Sequence, residues 1–176
     1  PGPRGNARLN DDAEMNGNLG AAQRAAKGRL LGLDLGDVRV GVAMSDVTAS
    51  LASPHVVITR TGALKNTAPL VDEIAKVVTE WEIVTVVVGL PLSLDGSSGP
   101  AARKARKVIS ALADRLSVPV VTYDERLTTV SADRALAEAG VNSRKRRDVI
   151  DMVAASIILQ GWMDARALQA DDPPPP

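Results

Sequence analysis

Cysteine and phenylalanine are absent from this chain of 176 residues, histidine occurs once, and aromatic residues make up only 2%. The lack of cysteine excludes disulfides, thiolate nucleophiles and cysteine zinc sites. With His55 as the sole histidine, no site can use two imidazoles, and a Ser-His-Asp triad would have one candidate base. Trp81, Trp162 and Tyr123 are the only aromatic residues, too few for a protein that reads single strands by stacking bases on rings. An excess of one charge is also missing: 21 Lys and Arg balance 21 Asp and Glu, so global charge marks neither a nucleic-acid binder nor a membrane-surface protein. No stretch approaches the roughly 18 uninterrupted apolar residues of a membrane span. No basic segment followed by an apolar one marks a secretion signal. The expectation is a cytoplasmic protein with no membrane partner, whose chemistry is run by carboxylates.

Hydrophobic residues, mostly aliphatic, account for 45% of the chain, ample for one core. Residues 1–26 mix Gly, Pro, Asn and charges without periodicity and read as a disordered leader. Residues 170–176 end in four prolines and read as a disordered tail. Between them, 27–169 has the length of one domain. Apolar runs at 30–36 and 39–45, joined by Gly36-Asp37, predict a hairpin, and a third strand is expected at 55–60. Leu70, Ile74, Val77, Val78 and Trp81 recur at helical spacing after Pro69. Residues 83–90 (IVTVVVGL) are apolar throughout, as befits a strand covered on both faces. Pro100 opens a helix with Ala101, Ala105, Val108, Ile109, Leu112 and Leu116 on one stripe, and 118–123 reads as a fifth strand. A short helix is expected from Thr129 to Gly140, and a last helix from Arg147 to Ala167 that buries Ile150, Val153, Ala154, Ile157 and Ile158. Three strands followed by alternating helix and strand predict an α/β fold: a five-stranded mixed sheet flanked by helices, antiparallel on one side and parallel on the other.

Three acids stand out against this frame. Asp34 interrupts an apolar strand, where a lone charge is costly to bury. Glu125 follows the fifth strand in Asp124-Glu125-Arg126. Asp151 stands on the shoulder of the last helix's apolar stripe. Taken singly, each reads as well as a capping, solvated or ion-paired residue. Taken together, they occupy the strand ends at which α/β sheets build sites, provided that the last helix packs nearby. Such a cluster repels itself and calls for divalent cations. Oxygen donors without His or Cys select Mg²⁺ or Mn²⁺, and two such ions about 3.5–4 Å apart can activate water and stabilise the leaving oxygen of a phosphodiester.

The motifs around these acids resemble those of one family. Gly32-Leu33-Asp34-Leu35-Gly36 with Arg39-Val40-Gly41-Val42-Ala43 looks like the opening hairpin of the YqgF-type proteins, also called RuvX and described as Holliday-junction-resolvase-like or as candidate pre-16S ribosomal RNA nucleases. Val88-Gly89-Leu90-Pro91-Leu92 with Asp95-Gly96-Ser97, then Asp124-Glu125-Arg126-Leu127-Thr128-Thr129, then Asp151 with Ala154-Ala155 and Ile158-Leu159-Gln160 match the later motifs in order, over roughly residues 29–165. The resemblance implies an RNase H-like fold with Asp34, Glu125 and Asp151 as metal-binding catalytic acids. Asp148, one helical turn before Asp151, is an additional candidate metal ligand.

Positive charge is concentrated although the total is zero: between residues 103 and 147, Lys and Arg outnumber acids roughly two to one. Arg144, Lys145, Arg146 and Arg147, read as immediately preceding the last helix, are candidates for holding a phosphate backbone. Ser97 and Ser98, in a Gly-flanked loop before a helix, are candidates for one phosphate. Arg39 either steadies the first hairpin or touches a phosphate. Arg103, Lys104, Arg106 and Lys107 read as a solvated helix face.

The leading expectation is a two-metal-ion endonuclease acting on structured nucleic acid, either precursor 16S ribosomal RNA or a four-way DNA junction. The two-fold symmetry of a junction would add a homodimer. The alternative is a non-catalytic, transcription-linked nucleic-acid-binding module, against which the retention of all three acids argues. Phosphotransfer, suggested by the Asp-x-Gly hairpin, would need a second lobe that the remaining length cannot supply.

Overall fold

The computed structural model describes residues 28–61, 66–92, 99–124 and 143–170, with only the backbone for 143–146 and 170. Its strands are β1 (Arg29–Leu35), β2 (Arg39–Ser45), β3 (Ala52–Thr59), β4 (Ile83–Leu90) and β5 (Val120–Asp124), and its helices are α1 (Ala68–Glu80), α2 (Pro100–Arg115) and α3 (Ser143–Ala170). The strands form one sheet in the order β3-β2-β1-β4-β5. The pairs β1/β2 and β2/β3 are antiparallel, and β1/β4 and β4/β5 are parallel. The expected mixed α/β sheet is thus present. Its order places the C-terminal ends of β1, β4 and β5 along one edge, since Leu33 pairs with Val88 and Leu90 with Asp124.

Alternation along β1 divides the core in two. Leu31 and Leu33 join Val40, Val42, Val86 and Val88 beneath α1 and α2, which contribute Ile74, Val108 and Leu112. Leu30 lies on the opposite face with Ala43, Val87 and Val121, beneath Ala155, Ile158, Leu159 and Met163 of α3. Central β4 feeds both clusters, which is why its sequence shows no polar alternation. Pro100 starts α2 after an extended Gly99, where a missing N–H costs nothing.

Four expectations are corrected. Strand β3 starts at Ala52 rather than 55 and contains Pro54, which pairs with Ala43 at a register shift. Proline is tolerated there because β3 is an edge strand. In α2 the buried residue of the first turn is Ala102, whereas Ala101 is exposed. The face of α3 that is buried carries Ala155, Ile158, Leu159 and Met163, while Ile150, Val153, Ala154 and Ile157 are only partly covered. Helix α3 also begins at Ser143, so Arg144–Arg147 lie inside its first turns rather than ahead of it. Cations near a helix N-terminus oppose its dipole, and the long apolar contact of α3 with the sheet outweighs that penalty of a few tenths of a kcal/mol per charge. The helix expected at 129–140 lies outside the described residues. No described helix is long and apolar enough to cross a membrane.

Candidate active site

Asp34 has the same strand parity as Leu30 and Gly32, so it faces α3 at the C-terminal end of β1. Two glycines let the helix come close. A Cβ at Gly32 would meet the Leu159 side chain at 2.7 Å and the Ala155 carbonyl oxygen at 2.9 Å, and a Cβ at Gly41 would collide with the carbonyl oxygen of Asp151. Gly41 is the cross-strand partner of Asp34. The lack of a side chain beside Asp34 is therefore what allows the Asp151 turn of α3 to rest on the sheet. The reading of the acids passed over these glycines, which set how closely α3 approaches the sheet, although a glycine within a strand does signal close backbone approach. Gly41→Ala is expected to destabilise the protein by about 1–3 kcal/mol through overpacking against backbone and to reduce activity by lifting Asp151 away from Asp34. Thermal denaturation checks the first effect, and a cleavage assay well below the melting temperature checks the second.

The electrostatics follow from this closeness. The Asp34 carboxyl is pushed up from 3.8 to about 6, chiefly by burial and then by the charge of Asp151. Asp151 has a partner of its own: Arg39, the first residue of β2, donates from Nε to Asp151 Oδ2 at 2.6 Å, and the same Nε lies 3.6 Å from Asp148 Oδ1. These contacts hold the guanidinium still more firmly in its charged form. Arg39 thus joins β2 to α3 by a partly buried ion pair, a contact that neither of the two readings of it from the sequence named.

The structure joins Arg39 to Asp151 and Asp148 and sets Asp151 close enough for its charge to act on Asp34. Strand β5 ends at Asp124 on the same edge of the sheet, while Glu125, Ser97 and Ser98 lie outside the described residues. Among the described residues, no group of three or more acidic or histidine side chains is arranged to hold a metal ion. The donor set still has the character that hard cations require: oxygen ligands, two like charges held close, and one of them partly buried at the cost of its ionisation. Of the basic run, Arg147 is exposed to solvent.

Beside Asp34 lies a cleft of about 240 Å³, lined by Asp34, Leu35, Asp37, Arg60, Pro91, Ala101, Lys104, Ala105 and Val108. Lys104, read from the sequence as solvated, reaches across to Asp37 at 2.8 Å. It thereby places its charge at the rim of this cleft, and only the tertiary packing of α2 against the β1–β2 turn shows it.

Residues 28–165 match the family described as "RuvX: Holliday junction resolvase". A relative from Myxococcus xanthus (strain DK1622), described as "Putative pre-16S rRNA nuclease", is 48% identical over 137 residues, which cover 78% of this chain and 88% of that protein. One from Mycobacterium sp. (strain KMS) with the same description is 51% identical over 141 residues, covering 80% and 82%. Among solved structures, Thermus thermophilus RuvC in complex with Holliday junction substrate superposes with a TM-score of 0.55 at 16% identity, covering 80% of this chain and 96% of that one. At that identity the likeness concerns the fold, which is RNase H-like.

Proposed function

Since the chain belongs to the RuvX family, we propose that it is a metal-dependent endonuclease that hydrolyses phosphodiesters of structured nucleic acid, with precursor 16S ribosomal RNA as its first substrate. The observation that carries this reading is the seating of the Asp151 turn of α3 on Gly41, the cross-strand partner of Asp34, at the C-terminal edge of the parallel strands, where burial and the charge of Asp151 raise the Asp34 carboxyl to about 6. Two carboxylates forced together in this way gain from a cation between them. In this reading Asp34, Asp151 and Glu125 hold Mg²⁺ or Mn²⁺, and Asp148 is an auxiliary ligand. Bound there, two such ions would stabilise the charge that develops on the attacking and departing oxygens. The protein's own part is to hold Asp34 on β1 and Asp151 on α3 beside one another and to bind the polynucleotide alongside them. Arg144, Lys145, Arg146 and Arg147 hold the backbone, and Ser97 and Ser98 take one further phosphate.

Precursor ribosomal RNA ranks first because relatives close to half identical carry that description. A four-way DNA junction is the second reading, favoured by the family's own description, and it alone calls for a homodimer, since two symmetric cuts are needed. The test offers both substrates in parallel, with Mg²⁺ and with Mn²⁺. Specific cleavage of the RNA precursor, with the junction left intact, is expected. Junction resolution without RNA cleavage would reverse the ranking, and binding of either without any cleavage would favour the non-catalytic module instead.

Replacing Arg144, Lys145, Arg146 and Arg147 together by Gln is expected to weaken binding to all sequences alike. It should also flatten the salt dependence, since each lost phosphate contact removes about 0.9 from the log–log slope on duplex DNA and about 0.7 on single strands. Filter binding or anisotropy across a salt series reads the slope. An unchanged slope would show that these charges are merely solvated.

A further inference from the structure

Arg39 occupies the place that a cation would compete for. Its Nε lies between two carboxylates of α3, at 2.6 Å from Asp151 Oδ2 and 3.6 Å from Asp148 Oδ1. Its guanidinium is the one cation paired with either acid among the described residues. The group is near the surface: Arg39 and Asp151 keep 25% and 24% of their side-chain exposure, and Asp148 keeps 46%. Arg39 starts β2 directly after the exposed 36–38 turn, so the long side chain can leave the carboxylates for solvent without disturbing the strand. We propose that Arg39 is a resident counter-ion, held on Asp151 and Asp148 while the site lacks metal and displaced from them when divalent cations bind, which frees its guanidinium for the phosphodiester. This inference rests on the metal site proposed above.

The physical reason is charge. In the metal-free protein Asp151 and Asp148 share one guanidinium, which offsets part of the repulsion between like charges. A guanidinium and a doubly charged ion on the same carboxylate repel twice as strongly as two single charges at that separation, so the two cations exclude each other. Once released, a guanidinium is well matched to a phosphate, which it grips through two parallel N–H donors. The device makes metal and nucleic acid bind cooperatively, because each removes the other's competitor. It also keeps the acids paired, and the α3–β2 contact intact, when no metal is present.

The test uses the full chain and Mg²⁺ alone, without nucleic acid. In the metal-free protein the Arg39 Nε–H should give a solvent-protected nitrogen-15-coupled resonance, assigned by its disappearance in Arg39→Lys. Titration with Mg²⁺ should abolish that protection in step with metal binding. In calorimetry at about 0.5 M salt, where long-range charge effects are screened, Arg39→Gln should bind Mg²⁺ about tenfold more tightly than wild type, the size expected for removing one charge-assisted competitor. A protected Arg39 resonance at saturating Mg²⁺ would overturn the exchange and leave Arg39 as a fixed brace. Equal or weaker Mg²⁺ binding by Arg39→Gln would do the same. If wild type bound neither Mg²⁺ nor Mn²⁺, the metal site itself would fall, and the exchange with it. The resonance titration needs only wild-type protein, so the proposal stays open to refutation even if the Gln variant folds poorly.

Discussion

Asp34→Asn is expected to reduce cleavage by a thousandfold or more, the order found when a member of a catalytic unit is removed, while making the metal-free protein more stable at neutral pH. The second half of this expectation follows from the sign of the Asp34 shift. A carboxyl whose pKa rises from 3.8 in the unfolded chain to about 6 in the folded one binds its proton more tightly when folded. Stability therefore falls as pH rises between those values, and above pH 6 the full penalty applies, about 3 kcal/mol. Asparagine is nearly isosteric and cannot ionise, so it escapes the penalty. In EDTA at pH 8 the variant should melt several degrees above wild type, and at pH 4, where Asp34 is largely protonated in the folded protein, the two should nearly coincide. Were Asp34 a structural, ion-paired residue, the same substitution would strand its partner and lower the melting temperature. Melting curves at the two pH values, alongside a cleavage assay, separate the two roles. A destabilised Asp34→Asn that still cleaves would remove Asp34 from the site.

Chelation should be as decisive. EDTA is expected to abolish cleavage, Mg²⁺ or Mn²⁺ to restore it, and Ca²⁺ to bind without supporting turnover, because a larger ion with looser geometry holds the acids without orienting the reaction. Metal should also stabilise the fold by mass action, by about 2.7 kcal/mol when its concentration is a hundred times its dissociation constant. Asp34→Asn, lacking one ligand charge, should gain much less. Mn²⁺ titrations followed by thermal melting give the stabilisation, and an assay in excess EDTA gives the dependence. Full activity in EDTA would eliminate metal-assisted hydrolysis, and equal Mn²⁺ stabilisation of both proteins would place the cation away from Asp34.

These two expectations draw on different layers of the molecule. The strand and helix order was legible because aliphatic periodicity is strong in this chain: alternating faces in β1 and β2, an uninterrupted apolar β4, and helical stripes in α1 and α2. Its boundaries were less legible. Pro54 and the cations at the start of α3 are both locally unfavourable to structure that an edge position and a long packed face permit. Asp34 announced itself as a charge in an apolar strand, and Asp151 as a charge beside an apolar stripe. Neither signal says that the two acids meet.

By itself, then, the sequence determined the fold class, because that follows from which residues are apolar and at what period, while the ordered motifs around Asp34, Glu125 and Asp151 carried the resemblance to the family to which the chain belongs. Tertiary structure alone decided which of those acids share a field, that Gly41 opens the gap through which Asp151 reaches Asp34, that Arg39 is spent on Asp151 and Asp148 rather than left to solvent, and that Lys104 reaches the rim of the cleft beside Asp34. The reason is that these relations join positions far apart in the chain: Arg39 and Asp151 are 112 residues apart, and no periodicity or propensity encodes a distance across the sheet. That distance is set by where α3 lands on β1 and β2, and the landing is fixed by the two missing side chains at Gly32 and Gly41.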